Sequence, residues 1–283
     1  MATRRYSEGM RWIVSLLAAV LLNAAEPLQV LQPVISQSDG GTPVPSGFAH
    51  APGEVLFFTF QVGGYSKSSE EKLKLNYTVK AVDPAGVPIL EPFHNQIVAE
   101  LSPQDKEWKP KIRMEIPIPP LAGSGTYQIT VDVRDENAQT SATKSLSFLV
   151  AGHEVEPSPT LVVRNFRFFR AEDDVQALPK AIYRPGDPVW ARFDIIGYKF
   201  GPGNAVDVSY GIAVLTGEKT LWSQNDAAVE RSQSFYPKRF VPGSMSINLQ
   251  PNIRPGEYTI AIRVKDGVGN QEYEGKYTFA VEQ

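Results

Sequence analysis

The sequence predicts an all-β chain built from two tandem antiparallel β-sandwiches. In residues 256–266, apolar side chains occupy every second position from Tyr258 to Val264, which is the period of a strand with one buried face. A similar alternation occurs in residues 125–135. The chain also contains 23 prolines and 22 glycines and has no convincing amphipathic helix, as is typical of many strands joined by turns.

These two stretches belong to an internal repeat. Tyr77 aligns with Tyr210 at a separation of 133 positions, and after a variable stretch Tyr127 aligns with Tyr258 at a separation of 131. A unit of about 120 residues is too long for a solenoid or propeller repeat and matches a whole domain. We therefore predict that one domain is duplicated in tandem. The predicted parts of the chain are a signal peptide at 1–25, a first sandwich at 26–151, a linker at 152–160 and a second sandwich at 161–283.

The N-terminal segment has the order of a secretory signal peptide. Arginines at positions 4, 5 and 11 precede an apolar run over 12–22, and the small residues Ala24 and Ala25 follow. We expect cleavage near Ala25, with an uncleaved anchor as the alternative because Leu22 or Asn23 stands where a small residue is preferred. No later segment is apolar enough to span a bilayer, so the mature chain is predicted to be secreted or periplasmic.

Composition and motifs argue against several functional classes. A net charge of -3 provides no basic footprint for nucleic acid. The absence of cysteine excludes disulfides, cysteine zinc sites and thiol nucleophiles, and no local nucleophile signature accompanies the 3 histidines. The acidic run 172–174 lacks the spacing of a calcium loop and favours a solvated loop over a weak calcium site. We therefore predict no catalytic residue, cofactor or metal, and no enzyme.

Four repeated positions are predicted to be structural. Tyr127 and Tyr258 each begin a strand just after a glycine-containing corner, where a tyrosine hydroxyl can bond to the backbone of that corner. Asp135 and Asp266 end the same strands at a turn, where an aspartate usually accepts hydrogen bonds from the turn backbone.

The ends of both units resemble a known class of module. Each reads Gly-x-Tyr-x-Ile-x-(Val or Ile)-x-Val-x-Asp, followed by a turn and x-Phe-x-Val, as in bacterial immunoglobulin-like and fibronectin-type-III-like modules of secreted and surface proteins. Residues 266–270 are similar to the Asp-x-x-Gly-Asn turn of such modules. The resemblance implies an immunoglobulin-like Greek-key sandwich and no particular ligand. The units depart from the family pattern in lacking a cysteine pair and in exceeding the usual length.

Aromatic residues supply the candidate ligand contacts. Phe57 and Trp190 occupy equivalent positions on the face opposite the core, where exposed rings could stack on sugars or anchor a protein. Alternatively, a loop or a neighbouring strand covers both rings. Trp108, Trp222 and Tyr236 fall in the variable stretches, and loops at sandwich ends often carry recognition.

The predicted function is a non-enzymatic extracytoplasmic interaction or structural module. It would bind a protein partner at the cell envelope through loops or an exposed sheet edge. The alternative is a carbohydrate-binding protein that holds an envelope polysaccharide on its aromatic residues, and an enzyme of unknown type comes third.

Overall fold

The computed structural model describes residues 26–105 and 107–283, so the predicted signal peptide at 1–25 lies outside the described residues. In these ranges the regular secondary structure consists of sixteen strands and two short 3₁₀ turns, at Pro103–Asp105 and Pro202–Asn204. The all-β class predicted from the sequence is confirmed.

The strands fall into two sets of eight. We use "first half" for β1–β8 and "second half" for β9–β16. The first half contains β1 (Gln29–Ser36), β2 (Ala49–His50), β3 (Val55–Gly63), β4 (Lys72–Val82), β5 (Phe93–Glu100), β6 (Lys111–Pro117), β7 (Gly125–Asp135) and β8 (Thr140–Val150). The second half contains β9 (Val162–Phe169), β10 (Ile182–Tyr183), β11 (Pro188–Ile196), β12 (Val206–Thr216), β13 (Lys219–Ser232), β14 (Val241–Asn248), β15 (Gly256–Asp266) and β16 (Gln271–Val281).

The same strand order occurs twice along the chain. The first half forms a three-stranded sheet in the order β1-β3-β6 and a five-stranded sheet in the order β2-β8-β7-β4-β5. The second half forms β9-β11-β14 and β10-β16-β15-β12-β13, which is the same arrangement strand for strand. The short strands β2 and β10 pair in parallel with β8 and β16, and the remaining pairs are antiparallel.

Each half buries one face of both its sheets in a shared core. In the first half, Phe58 of the three-stranded sheet and Leu73 of the five-stranded sheet belong to one buried cluster. Phe193 and Ile260 belong to the corresponding cluster of the second half. The alternation in the sequence therefore identified the inward faces, as a two-sheet sandwich requires.

The tyrosine corners are present in both halves. The Tyr127 hydroxyl donates a hydrogen bond to the Gly123 carbonyl at 2.9 Å, and the Tyr258 hydroxyl donates to the Arg254 carbonyl at 2.7 Å. Each bond spans four residues and closes the corner that leads into β7 or β15.

The repeated aspartates organise the turns that follow these strands. The Asp135 carboxylate accepts hydrogen bonds from the backbone of Asn137 at 2.8 Å and of Ser66 at 2.6 Å. Asp266 accepts from the backbone of Val268 at 3.0 Å and of Lys199 at 2.9 Å. Each carboxylate thus joins its own turn to the segment that precedes strand β4 or β12.

Replacing the corner tyrosines tests these hydrogen bonds. Tyr127→Phe and Tyr258→Phe should each lower the free energy of unfolding by about 1 kcal/mol, because the ring still fills the core while the corner carbonyl loses its donor. Chemical denaturation of the full chain measures this loss. Unfolding curves that coincide with those of the unsubstituted protein would show that the corner bonds do not stabilise the fold.

Candidate interaction surfaces

Phe57 and Trp190 lie on the central strands of the three-stranded sheets, on the outer face, and both are partly buried. The cross-strand neighbours of Phe57 are Ser36 and Glu115. Those of Trp190 are Phe169 and Ser246. The two rings belong to different sheets, so each half carries one aromatic ring at this position of its outer face.

The loop between β9 and β10 covers part of the outer face beside Trp190. The Arg192 guanidinium donates hydrogen bonds to the carbonyls of Asp174, at 2.8 Å, and Glu172. It also lies 4.3 Å from the ring centroid of Phe169, which is only 6% exposed. Glu172 and Asp174 therefore bind Arg192 through their backbone carbonyls. The described residues contain no cluster of three or more side chains suited to hold a metal ion.

Trp108, Trp222 and Tyr236 lie in three different elements. Trp108 follows the first 3₁₀ turn and is exposed, and its carbonyl accepts a hydrogen bond from the Tyr65 hydroxyl. Trp222 is exposed on β13, a strand rather than a loop. Tyr236 is 7% exposed and belongs to the buried core cluster of the first half, so it is not the exposed aromatic residue that the sequence predicts.

A buried carboxylate connects Tyr236 to the first half. Asp83 follows β4, and its side chain has no exposed area. One carboxylate oxygen accepts the backbone N–H groups of Ala85 at 2.8 Å and Val87 at 2.9 Å. The other accepts the Tyr236 hydroxyl at 2.9 Å and pairs with the Arg239 guanidinium. Since an unpaired buried charge is strongly destabilising, these donors hold the two halves together.

The linker is attached to both halves. The Ser124 hydroxyl of the first half donates to the Gly152 carbonyl at 2.8 Å. The next residue, His153, places its Nε2 atom 2.7 Å from an oxygen of Asp194 on β11, and its ring packs against Phe240 with centroids 5.1 Å apart. The linker therefore does more than space the sandwiches, because its backbone and side chains contact each of them.

Each five-stranded sheet ends in one long edge strand whose outer side is open. β5 pairs only with β4, and β13 pairs only with β12. β13 is irregular: its register against β12 shifts at two places, and Asp226 has a φ of 51°. Gly211 faces this bulge, where a Cβ atom would lie 3.0 Å from the Gln224 carbonyl oxygen. Such a bulge interferes with the addition of a further strand.

β5 has none of these protective features. It pairs with β4 in one unbroken register from Glu100 opposite Lys72 to Phe93 opposite Val79. Its sequence contains no proline, lysine or arginine, the residues that commonly block sheet edges. Phe93 is 39% exposed and Val98 is 62% exposed. Of the two long edges of the five-stranded sheets, β5 is therefore the one suited to accept another strand.

None of the helical segments in the described ranges has the length and hydropathy required to cross a bilayer.

Comparisons with known proteins identify no family. No family model matches the chain, and no curated protein matches it. Among solved structures, the C-terminal domain of the Streptococcus agalactiae antigen I/II polypeptide BspA aligns at 9% identity and a TM-score of 0.32, covering 91% of this chain and 100% of that one. The C-terminal domain of the Streptococcus pyogenes antigen I/II-family protein AspA aligns at 10% identity and a TM-score of 0.34, with the same coverage of 91% and 100%.

A Salmonella alpha-2-macroglobulin aligns at 12% identity and a TM-score of 0.28, covering 88% of this chain and 16% of that one. TM-scores this low support no inference about this chain, so its function has to follow from its own geometry.

No sequence pattern indicates the roles of Asp83 and Arg239 or the contact between His153 and Asp194. Asp83 opens an Asp-Pro-Ala-Gly turn, a pattern that indicates the turn and not a partner 153 positions away. The unbroken register of β5 is a property of its pairing with β4, which no local sequence pattern indicates.

Removing one donor from Asp83 tests the connection between the halves. Tyr236→Phe should lower the free energy of unfolding by about 1 to 3 kcal/mol, because the buried carboxylate loses a hydrogen bond that water cannot replace. The exposed neighbour Phe235 provides a matched control, and Phe235→Ala should change stability by less than about 0.5 kcal/mol. Equal effects of the two substitutions in thermal or chemical unfolding would contradict the role of Tyr236.

Alkaline titration provides a second test of Tyr236. Burial, and then the hydrogen bond to Asp83, raise the pKa of Tyr236 above its ordinary value of about 10. The unfolded chain therefore ionises first, and the stabilisation from Tyr236 is full below about pH 10 and is lost as the pH rises further. Tyr236→Phe should flatten the fall in unfolding free energy above about pH 10. Parallel pH profiles for the variant and the parent would contradict this assignment.

Proposed function

We propose that this chain is a non-enzymatic extracytoplasmic module of two tandem immunoglobulin-like sandwiches that binds a protein partner by strand addition to β5. The observation that carries the proposal is the unprotected edge of β5, with its unbroken register, exposed apolar residues and lack of blocking residues. The twofold strand order and the sequence repeat support an origin by tandem duplication. The basic, apolar and small-residue order of positions 1–25 supports export.

Strand addition at β5 satisfies backbone groups that face solvent in the free protein. Backbone hydrogen bonds would provide affinity, and alternate side chains of β5 would select the sequence of the partner. Phe93 lies on the core-facing side of β5, where its ring centroid is 6.2 Å from that of Tyr77. A strand added beside β5 would extend the five-stranded sheet and cover the exposed part of the Phe93 ring.

The outer side of β5 offers a different surface. Val98 stands opposite Lys74 and His94 opposite Thr78, with the His94 Nδ1 atom 2.9 Å from the Thr78 hydroxyl oxygen. An apolar side chain of the partner would therefore contact Val98, while polar side chains would meet the neighbouring positions. The edge favours an extended segment of mixed apolar and polar residues.

Blocking the edge tests the proposal. Lysines at Asn95→Lys and Val98→Lys place one charge on each face of β5, and charges on an edge oppose strand addition. The doubly substituted protein should lose at least about tenfold in affinity for a protein partner captured from the source cell's envelope extract. Val229→Lys on the bulged edge β13 is the matched control and should leave this affinity unchanged.

Hydrogen exchange on the captured complex locates the contact. Backbone amides of β5 that face solvent in the free chain should become protected when the partner binds, because they enter new hydrogen bonds. Partner binding without protection of β5, or equal retention by the doubly substituted protein, would contradict strand addition at this edge.

A further inference from the structure

The outer face of β9-β11-β14 carries two adjacent arginines. Arg192 on β11 is the direct cross-strand partner of Arg167 on β9 and, on its other side, of Ser244 on β14. These three residues therefore form one row across the sheet, which we call the arginine row. Like charges placed directly opposite each other on a sheet are destabilising, so an isolated sheet would not favour this pair.

Neither guanidinium of the arginine row is compensated by a carboxylate. Among the salt bridges of residues 26–105 and 107–283, none includes Arg167 or Arg192. Arg192 is held in place by the backbone of the β9–β10 loop, whereas Arg167 is exposed. The nearby carboxylate of Asp194 is already engaged by His153 and by the Asn165 side chain, each at 2.7 Å.

The arginine row forms part of the floor of a groove of about 980 Å³. The β9–β10 loop contributes Val175 and Ala177 to its lining, and the linker contributes His153 and Glu154. Its volume falls within the upper range of small-molecule and oligomer sites. The lining also includes the carboxylates of Glu154 and Asp194, so the positive charge that attracts an anion is confined to the arginine row.

The first half supplies an internal comparison at the same backbone positions. Its corresponding row is Val34, Thr59 and Arg113, joined by the same cross-strand pairing. The register shift beside it also recurs, with Gln32 at a φ of 46° where the second half has Asn165 at 52°. The single arginine of this row forms a salt bridge with Asp39 at 3.3 Å. The sandwich framework therefore does not require an arginine pair, and the pair is specific to the second half.

We propose that the groove over the arginine row binds an acidic polysaccharide through the carboxylate of a uronic acid unit. The planar guanidinium of the exposed Arg167 matches a carboxylate with paired hydrogen bonds. Arg192, whose guanidinium donates to the loop carbonyls, adds a second positive charge beside it. The exposed Ser244 side chain, in the same row, suits sugar hydroxyl groups. Trp190 lies two residues from Arg192 on the same face, where its partly exposed ring suits the apolar face of a sugar.

This site is separate from the protein-binding edge. β5 belongs to the five-stranded sheet of the first half, whereas the arginine row lies on the three-stranded sheet of the second. One site can therefore be disabled without the other, and the failure of either proposal can be distinguished experimentally.

Calorimetric titration of the full chain with polygalacturonate tests the proposal, with neutral dextran and poly-glutamate in parallel. We expect binding to polygalacturonate that weakens with salt, and at least about tenfold weaker binding to the other two polymers. No binding to polygalacturonate would overturn the proposal. Equal binding of poly-glutamate would also overturn it, because the groove would then recognise carboxylates without the sugar.

Charge-matched variants locate the site. Arg167→Gln should weaken polygalacturonate binding at least about tenfold, because it removes charged hydrogen bonds without disturbing the Arg192 contacts to the loop. Arg113→Gln, in the corresponding row of the first half, should leave binding within about twofold, as should the doubly substituted β5 variant. Unchanged binding by Arg167→Gln with an unaltered unfolding midpoint would overturn the assignment to this groove.

Discussion

The junction of the two halves depends on the buried carboxylate of Asp83. Its charge is stable away from water only because two backbone N–H groups, the Tyr236 hydroxyl and the Arg239 guanidinium surround it. Two of these donors come from the second half, so satisfying Asp83 also fixes where that half lies. The exposed Thr216 ends the corresponding strand β12, which shows that the sandwich itself does not need a carboxylate there.

The two halves share a framework and differ in what they present to solvent. Core faces, tyrosine corners and turn aspartates recur because each half must close the same pair of sheets. The edge strands and the outer faces of the sheets are not constrained by this packing requirement. One half has a regular edge at β5 and a row with a single paired arginine, and the other has a bulged edge at β13 and two uncompensated arginines. The proposed functions lie in these differences.

The sequence was sufficient for features that depend on local pattern. Alternation predicted the inward faces of strands such as β7 and β15, and position within the repeat predicted the bonds of Tyr127 and Asp266. It was insufficient where partners are distant along the chain. Its position in a variable stretch predicts that Tyr236 is a ligand contact, and no nearby residue indicates that the first half buries it. The arginine pair depends on cross-strand register, and the open edge of β5 depends on sheet order.

Residual dipolar couplings of the full chain provide the most direct test of the central claim, that contacts at Asp83 and along the linker join the two sandwiches into one rigid unit. Couplings from amides of both halves should fit a single alignment tensor with the structure as it stands. Two tensors of different magnitude and orientation, one for each half, would show that the halves move independently and would contradict the account.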